Sequence, residues 1–85
     1  MRVLFHKQAQ QDYEYFSKND TQLCNKINSL IESIKNSAHE VLGKPEPLKY
    51  SLAGFWSRRI TREHRLVYTI KENNIYILQC RYHYQ

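Results

Sequence analysis

The chain holds two glycines, two prolines and two cysteines among its 85 residues, and each scarcity closes off a class of protein. So little glycine and proline leaves no material for long linkers or low-complexity tracts, and no internal repeat is visible. Cys24 and Cys80 make neither a metal-ligand spacing nor a disulfide framework. One falls in a helical pattern and the other in a strand pattern, so both read as buried thiols. No apolar run is long enough to span a membrane, and the opening MRVLFHKQ lacks the apolar stretch of a secretion signal. A reducing, cytoplasmic setting without a membrane partner is the expectation.

What is present is a globular composition, 41% hydrophobic and 25% charged. The length suits one domain, residues 1–85, with a single layer of helix on a single sheet. A core of that size confers modest stability, so a homodimer or a tight partner is an expected supplement. The net charge of +5 is unevenly placed. Residues 1–43 carry five Lys/Arg and five Asp/Glu, whereas residues 44–85 carry eight and three. The whole excess therefore lies in the second half, where a one-sided basic field attracts polyanions such as nucleic acid. On charge alone, that reading and a merely basic surface stand level.

Periodicity divides the chain in the same place. Arg2 to His6 is a short β-like run. Ala9, Tyr13 and Phe16 then recur at helical spacing, and Leu23, Ile27, Leu30, Ile31 and Ile34 make a second apolar stripe. Asn19-Asp20-Thr21 separates them, with Asp20 or Thr21 a suitable N-cap. Helices joined by so short a turn should pack as an antiparallel hairpin. His39 to Leu48 reads as a loop around Gly43 and Pro45-Glu46-Pro47. Three strand-like runs follow, Phe55 to Ile60, His64 to Ile70 and Ile75 to His83, with Lys71-Glu72-Asn73-Asn74 as the last turn. The expected architecture is α+β, a helical hairpin on one face of a twisted, mainly antiparallel sheet.

Strand alternation then assigns faces. Leu66, Tyr68 and Ile70, with Tyr76, Leu78, Cys80 and Tyr82, are expected under the helices. Arg65, Val67 and Thr69, with Ile75, Ile77, Gln79, Arg81 and His83, are expected on an open, cationic face that Phe55, Ser57 and Arg59 join. Val67, Ile75 and Ile77 fit such a face less well and are read as marking where a partner lies. Arg58 and Arg59 are adjacent, so they point to opposite faces, and alternation favours Arg59 for the open one. Trp56 is expected in the core. His6, His39 and His64 lack metal-ligand spacing and receive no role.

The second half resembles a known family. Gly43-Lys44-Pro45-Glu46-Pro47-Leu48-Lys49, then Gly54-Phe55-Trp56-Ser57-Arg58-Arg59-Ile60, Glu63-His64-Arg65-Leu66-Val67-Tyr68 and Cys80-Arg81-Tyr82-His83-Tyr84 are similar, in order, to the YoeB branch of the RelE/ParE toxins. The resemblance implies a RelE-like fold and a nuclease that cuts messenger RNA in the decoding site of the 70S ribosome. It implies attack by the RNA's own 2′-hydroxyl on the adjacent phosphate, with no metal and no cofactor. It also implies a cognate, YefM-like antitoxin that blocks the activity.

Such chemistry needs a base, cations for the phosphorane charge and an acid for the departing 5′-oxygen. Glu46, held between two prolines that stiffen the loop, suits the first role, because positioning supplies much of the rate. Arg65 lies mid-strand, where a charge must face solvent or an anion. Its guanidinium matches two phosphate oxygens, and losing such a group costs on the order of a hundredfold in rate. Pairing with Glu63 or Glu72 is the structural alternative for Arg65. His83 is the acid, since imidazole titrates near neutral pH. Tyr84 completes the catalytic set by stacking on a base or touching a phosphate. Lys44, Lys49, Arg59 and Arg81 are read as phosphate contacts. A toxin of the ParE kind, which binds a target such as gyrase and cuts nothing, is the alternative from another class, and a plain RNA-binding domain a third.

Overall fold

The computed structural model describes residues 1–36 and 43–82. Its elements run β1 (Arg2–Phe5), α1 (Lys7–Asn19), α2 (Thr21–Lys35), β2 (Glu46–Pro47), β3 (Trp56–Arg59), β4 (Arg65–Lys71) and β5 (Asn74–Gln79), with a 3-10 turn over Tyr50–Leu52. The strands form one sheet in the order β1-β5-β4-β3-β2, and the two helices pack on it. The architecture is the expected α+β one. Three of the four strand pairings are antiparallel, and β1 joins the edge of β5 in parallel. The helical connection after β1 is what permits that pairing, since parallel neighbours need a crossover and cannot be joined by a tight turn.

The helices form where the apolar spacing puts them. Asp20 is at once the C-cap of α1 and the N-cap of α2, its carboxylate accepting the Leu23 N–H at 3.1 Å. A cap of this kind is worth about 1 kcal/mol. Tyr13 donates to Asn28 Oδ1 at 2.8 Å and so joins the two helices. Ala9 and Phe16 of α1, and Leu23, Cys24, Ile27, Leu30, Ile31 and Ile34 of α2, are buried against Leu66, Tyr68, Ile75 and Ile77 of the sheet. Each large aliphatic side chain so buried contributes roughly 1.5–3 kcal/mol.

β5 departs from strict alternation. Val67 pairs with Gln79 while Tyr68 pairs with Ile77, so Leu78 is an extra residue, a β-bulge. Ile75, Ile77 and Cys80 therefore share the helix-side core, all fully buried. Tyr76 and Tyr82, expected in the core, are exposed, and Leu78 is half-buried. The expectation is reversed for Ile75, Tyr76 and Ile77, because both alternating sets are apolar; it holds for Cys80, which one bulge puts on the face that Ile77 occupies. In β4, Leu66 and Tyr68 are buried as expected, but Ile70, near the end of its strand, is 49% exposed. Trp56, also expected in the core, is 41% exposed. Val67, Leu48 and Ser57 are buried outside the helix-side cluster, so the opposite face is covered in part.

The β4–β5 hairpin turns through Glu72 and Asn73, both at positive φ (53° and 63°), the backbone of a two-residue type I′ turn. β2 lies within what alternation leaves as loop. It follows Pro45 and contains Pro47, and it lies at the sheet edge, where a proline that cannot donate to the ladder is tolerated.

Candidate active site

The segment before β2 is pinned to β3 by one backbone bond and one glycine. The Arg59 N–H donates to the Gly43 carbonyl at 2.7 Å. Gly43 has φ +80°, and a Cβ there would stand 2.7 Å from Leu30 Cδ2 and 3.0 Å from the Arg59 carbonyl oxygen. Glycine is thus required by both its conformation and its closeness to α2. Lys44 follows at φ 50°, and the chain turns directly into Glu46.

The sheet register then gathers the cationic residues. Glu46 pairs with Ser57, Ser57 with Val67, and Arg59 with Arg65. Gly43, Lys44, Glu46, Ser57, Arg59 and Arg65 line one small cavity of about 100 Å³. Ser57, small and buried, stands in register between Glu46 and Val67 and lines the same cavity. Two arginines placed directly opposite one another repel, costing some tenths of a kcal/mol or more. An anion between them turns that cost into attraction. Lys49 is on the same segment as Glu46, and both line a neighbouring hollow of about 700 Å³ around the 3-10 turn.

Arg65 is held on one side by backbone. Its Nη1 donates to the carbonyls of Thr61 (2.6 Å), His64 (3.1 Å) and Arg62 (3.2 Å). Those carbonyls point inward because the β3–β4 turn closes on itself. Thr61 Oγ1 accepts the Glu63 and His64 N–H groups, and the His64 carbonyl accepts from Ile60 and Thr61. The pairing of Arg65 with Glu63 or Glu72 is replaced by these three carbonyls. A guanidinium fixed in this way meets an anion without first losing side-chain freedom.

Arg58, one residue from Arg59, faces the helices. It is buried, with Nε on the Tyr68 hydroxyl (3.1 Å) and Nη1 on Ser33 Oγ (2.8 Å). The opposite orientation of the pair is as alternation requires. Arg81 does not join the open face. Its guanidinium lies 3.7 Å from the Tyr15 ring centroid and 4.7 Å from that of Tyr82. β5 ends at Gln79, so strand alternation no longer governs Arg81, and the chain there lies against α1. There Asp12, buried, accepts the Cys80 N–H at 3.1 Å. His83 and Tyr84 lie outside the described residues.

Val67, Ile75 and Ile77 are fully buried and are not a partner surface. Apolar residues on the open side are instead Leu4, Phe55, Tyr76 and Leu78, which line a groove of about 660 Å³. Both cysteines are free and buried, and burial pushes the Cys80 thiol up to about 12, which makes it unreactive. Among the described residues no three His, Cys, Asp or Glu side chains gather as a metal-holding group, and no helix is long and apolar enough to cross a membrane.

One residue acquires a role that spacing did not suggest. His64 Nδ1 accepts the Tyr82 N–H at 2.7 Å, and its ring meets Phe16 edge-on at 5.2 Å. Its only signal in the sequence is its place beside Arg65.

The model of the YoeB-like toxins of bacterial type II toxin–antitoxin systems matches residues 5–84. The chain belongs to this family. The toxin YoeB of Synechocystis is 48% identical over 85 residues, covering 100% of this chain and 99% of that protein. A YoeB/ParE toxin from Agrobacterium tumefaciens superposes with a TM-score of 0.94 at 43% identity, covering 99% of this chain and 100% of the other. YoeB of Staphylococcus aureus, solved in a heterotetrameric complex with YefM, does so with a TM-score of 0.91 at 50% identity over 99% of this chain and 98% of the other. That toxin has also been solved as a dimer.

Proposed function

We propose that this toxin is a metal-independent endoribonuclease that cuts messenger RNA in the decoding site of the bacterial ribosome and so inhibits translation. The observation that carries the reading is the convergence of Glu46, Arg59 and Arg65 on one cavity. Two opposed guanidinium groups beside a carboxylate suit a phosphodiester with an adjacent hydroxyl better than they suit a protein surface.

In the proposed reaction Glu46 takes the proton of the 2′-hydroxyl and the 2′-oxygen forms its bond to phosphorus. The bond from phosphorus to the 5′-oxygen breaks, and that oxygen receives a proton from His83. The products are a 2′,3′-cyclic phosphate and a 5′-hydroxyl. Arg65, held at Nη1 by three carbonyls, stabilises the added charge on the phosphorane. Arg59, Lys44 and Lys49 position the backbone, and Tyr84 stacks on a base or touches a phosphate. Arg81, stacked on Tyr15, serves the fold first; a phosphate contact by it would require the guanidinium to leave that ring.

The partners that follow are the ribosome with its messenger, a YefM-like antitoxin and a second copy of the chain, all in the cytoplasm. An acidic antitoxin segment would cover the cationic cavity, with apolar side chains in the groove beside Tyr76. The deciding experiment adds the purified chain to a translating bacterial extract and maps messenger 5′-ends. Cuts within decoding-site codons that vanish in Glu46→Ala and His83→Ala support the enzyme. Toxicity with uncut messenger would transfer the chain to the gyrase-binding kind.

A further inference from the structure

We infer that His64 is a positioning residue that holds Tyr82 in register with Arg65. Tyr82 donates its N–H to His64 Nδ1 at 2.7 Å, and its carbonyl accepts the Arg65 N–H at 3.0 Å. These two bonds hold Tyr82 at φ +65°, a left-handed conformation that a tyrosine rarely adopts unaided. On its other side the His64 carbonyl accepts from Arg65 Nη1 at 3.1 Å. One residue therefore grips both the Arg65 guanidinium and the backbone of Tyr82.

The grip depends on an unprotonated Nδ1, which places the ring proton on Nε2. The surroundings favour that form. The ring is half-buried between Phe16, at 5.2 Å, and Tyr82, at 5.8 Å. Burial lowers the His64 pKa. Of the charged groups around it, Arg81 acts in the same direction, and Glu63, Asp12 and Asp20 oppose it.

The inference rests on the reading of His83 as the acid, and the test separates the two. His64→Phe keeps a ring between Phe16 and Tyr82 and removes the acceptor. His64→Asn keeps an acceptor near the Nδ1 position. Hydrogen exchange of the Tyr82 amide is read by NMR without RNA, and cleavage is read as kcat apart from ribosome affinity. His64→Phe should lose Tyr82 protection by about tenfold or more. Its kcat should fall by up to about a hundredfold, the scale of a small misplacement, with ribosome affinity held. His64→Asn should recover most of both. Unchanged Tyr82 exchange in His64→Phe overturns the inference, as does lost protection with full kcat. If His64→Phe does not fold, a folded but inactive His64→Asn overturns it, and an active one with Tyr82 protected supports it. Wild-type cleavage by His83→Ala sinks the proposed acid alone, and Tyr82 exchange still decides whether His64 is the anchor.

Discussion

Arg58 and Arg59 are the same residue type at consecutive positions, and the sheet gives them opposite lives. Arg58 enters the layer between β3 and α2, where Tyr68 and Ser33 accept its N–H groups. Arg59 stays exposed on the other face, across from Arg65 and beside Glu46. The helix-side cation is a structural member, because a buried charge is tolerable only when its donors are satisfied. The open-side arginines stand opposite one another with Arg65 held by backbone carbonyls, and in the proposed reaction a phosphate would lie between them. The lesson is that a second half rich in arginine is not one uniform binding surface, since strand parity sorts its cations into scaffold and site.

The largest effects are expected on the open face. Glu46→Gln and Arg65→Ala should each lower the single-turnover cleavage rate by about a hundredfold or more. Thermal unfolding should stay within a few degrees of wild type. A comparable loss of folding stability would make these residues structural and erase the contrast. On the helix side, Arg58→Ala should behave in reverse. It leaves the Tyr68 hydroxyl and Ser33 Oγ without their donor and opens a gap, at a cost of about 2–3 kcal/mol in denaturant unfolding. The catalytic rate of the folded fraction should be retained.

Gly43→Ala tests the joint between the faces. The methyl would meet Leu30 and the Arg59 carbonyl at φ +80°, so a loss of roughly 1–3 kcal/mol is expected, with weaker cleavage as Lys44 and Glu46 shift. Arg59→Ala is a finer probe, since one phosphate contact fewer should lower the salt-dependence slope of RNA binding by about 0.7–0.9. An unchanged slope would remove Arg59 from the RNA path.

The smallest effect expected is with pH. Burial depresses the His64 pKa, so below about pH 6.5 the unfolded chain takes up a proton that folded His64 resists. The contribution is therefore in place above that pH and is lost as pH falls. His64→Phe should flatten this part of the stability profile, and an identical slope in the variant would assign it to other groups.

The helices, the Asp20 cap, the hairpin turn at Glu72-Asn73 and the division of Arg58 from Arg59 were legible in the sequence, because each rests on contacts within a few residues. That Arg59 and Arg65 share the open face was legible from alternation, whereas Glu46 joined them only through the family pattern. Alternation said nothing of a residue inside a presumed loop, and β2 is two residues long. His64 and Arg81 were not legible at all. One depends on the turn that folds back beneath Arg65, and the other on where β5 ends and the chain meets α1.

By itself, then, the sequence determined the fold class, the sign and side of the charge, and which residue types were available for phosphate chemistry. These follow from periodicity and composition, which are local properties. Tertiary structure alone decided that β1 pairs in parallel with β5, that Ile75 and Ile77 face the helices, that Arg81 stacks on Tyr15, and that His64 grips Tyr82. Each of these depends on register between segments far apart in the chain. A single extra residue at Leu78 was enough to put Ile77 and Cys80, which alternation assigned to opposite faces, on the same one.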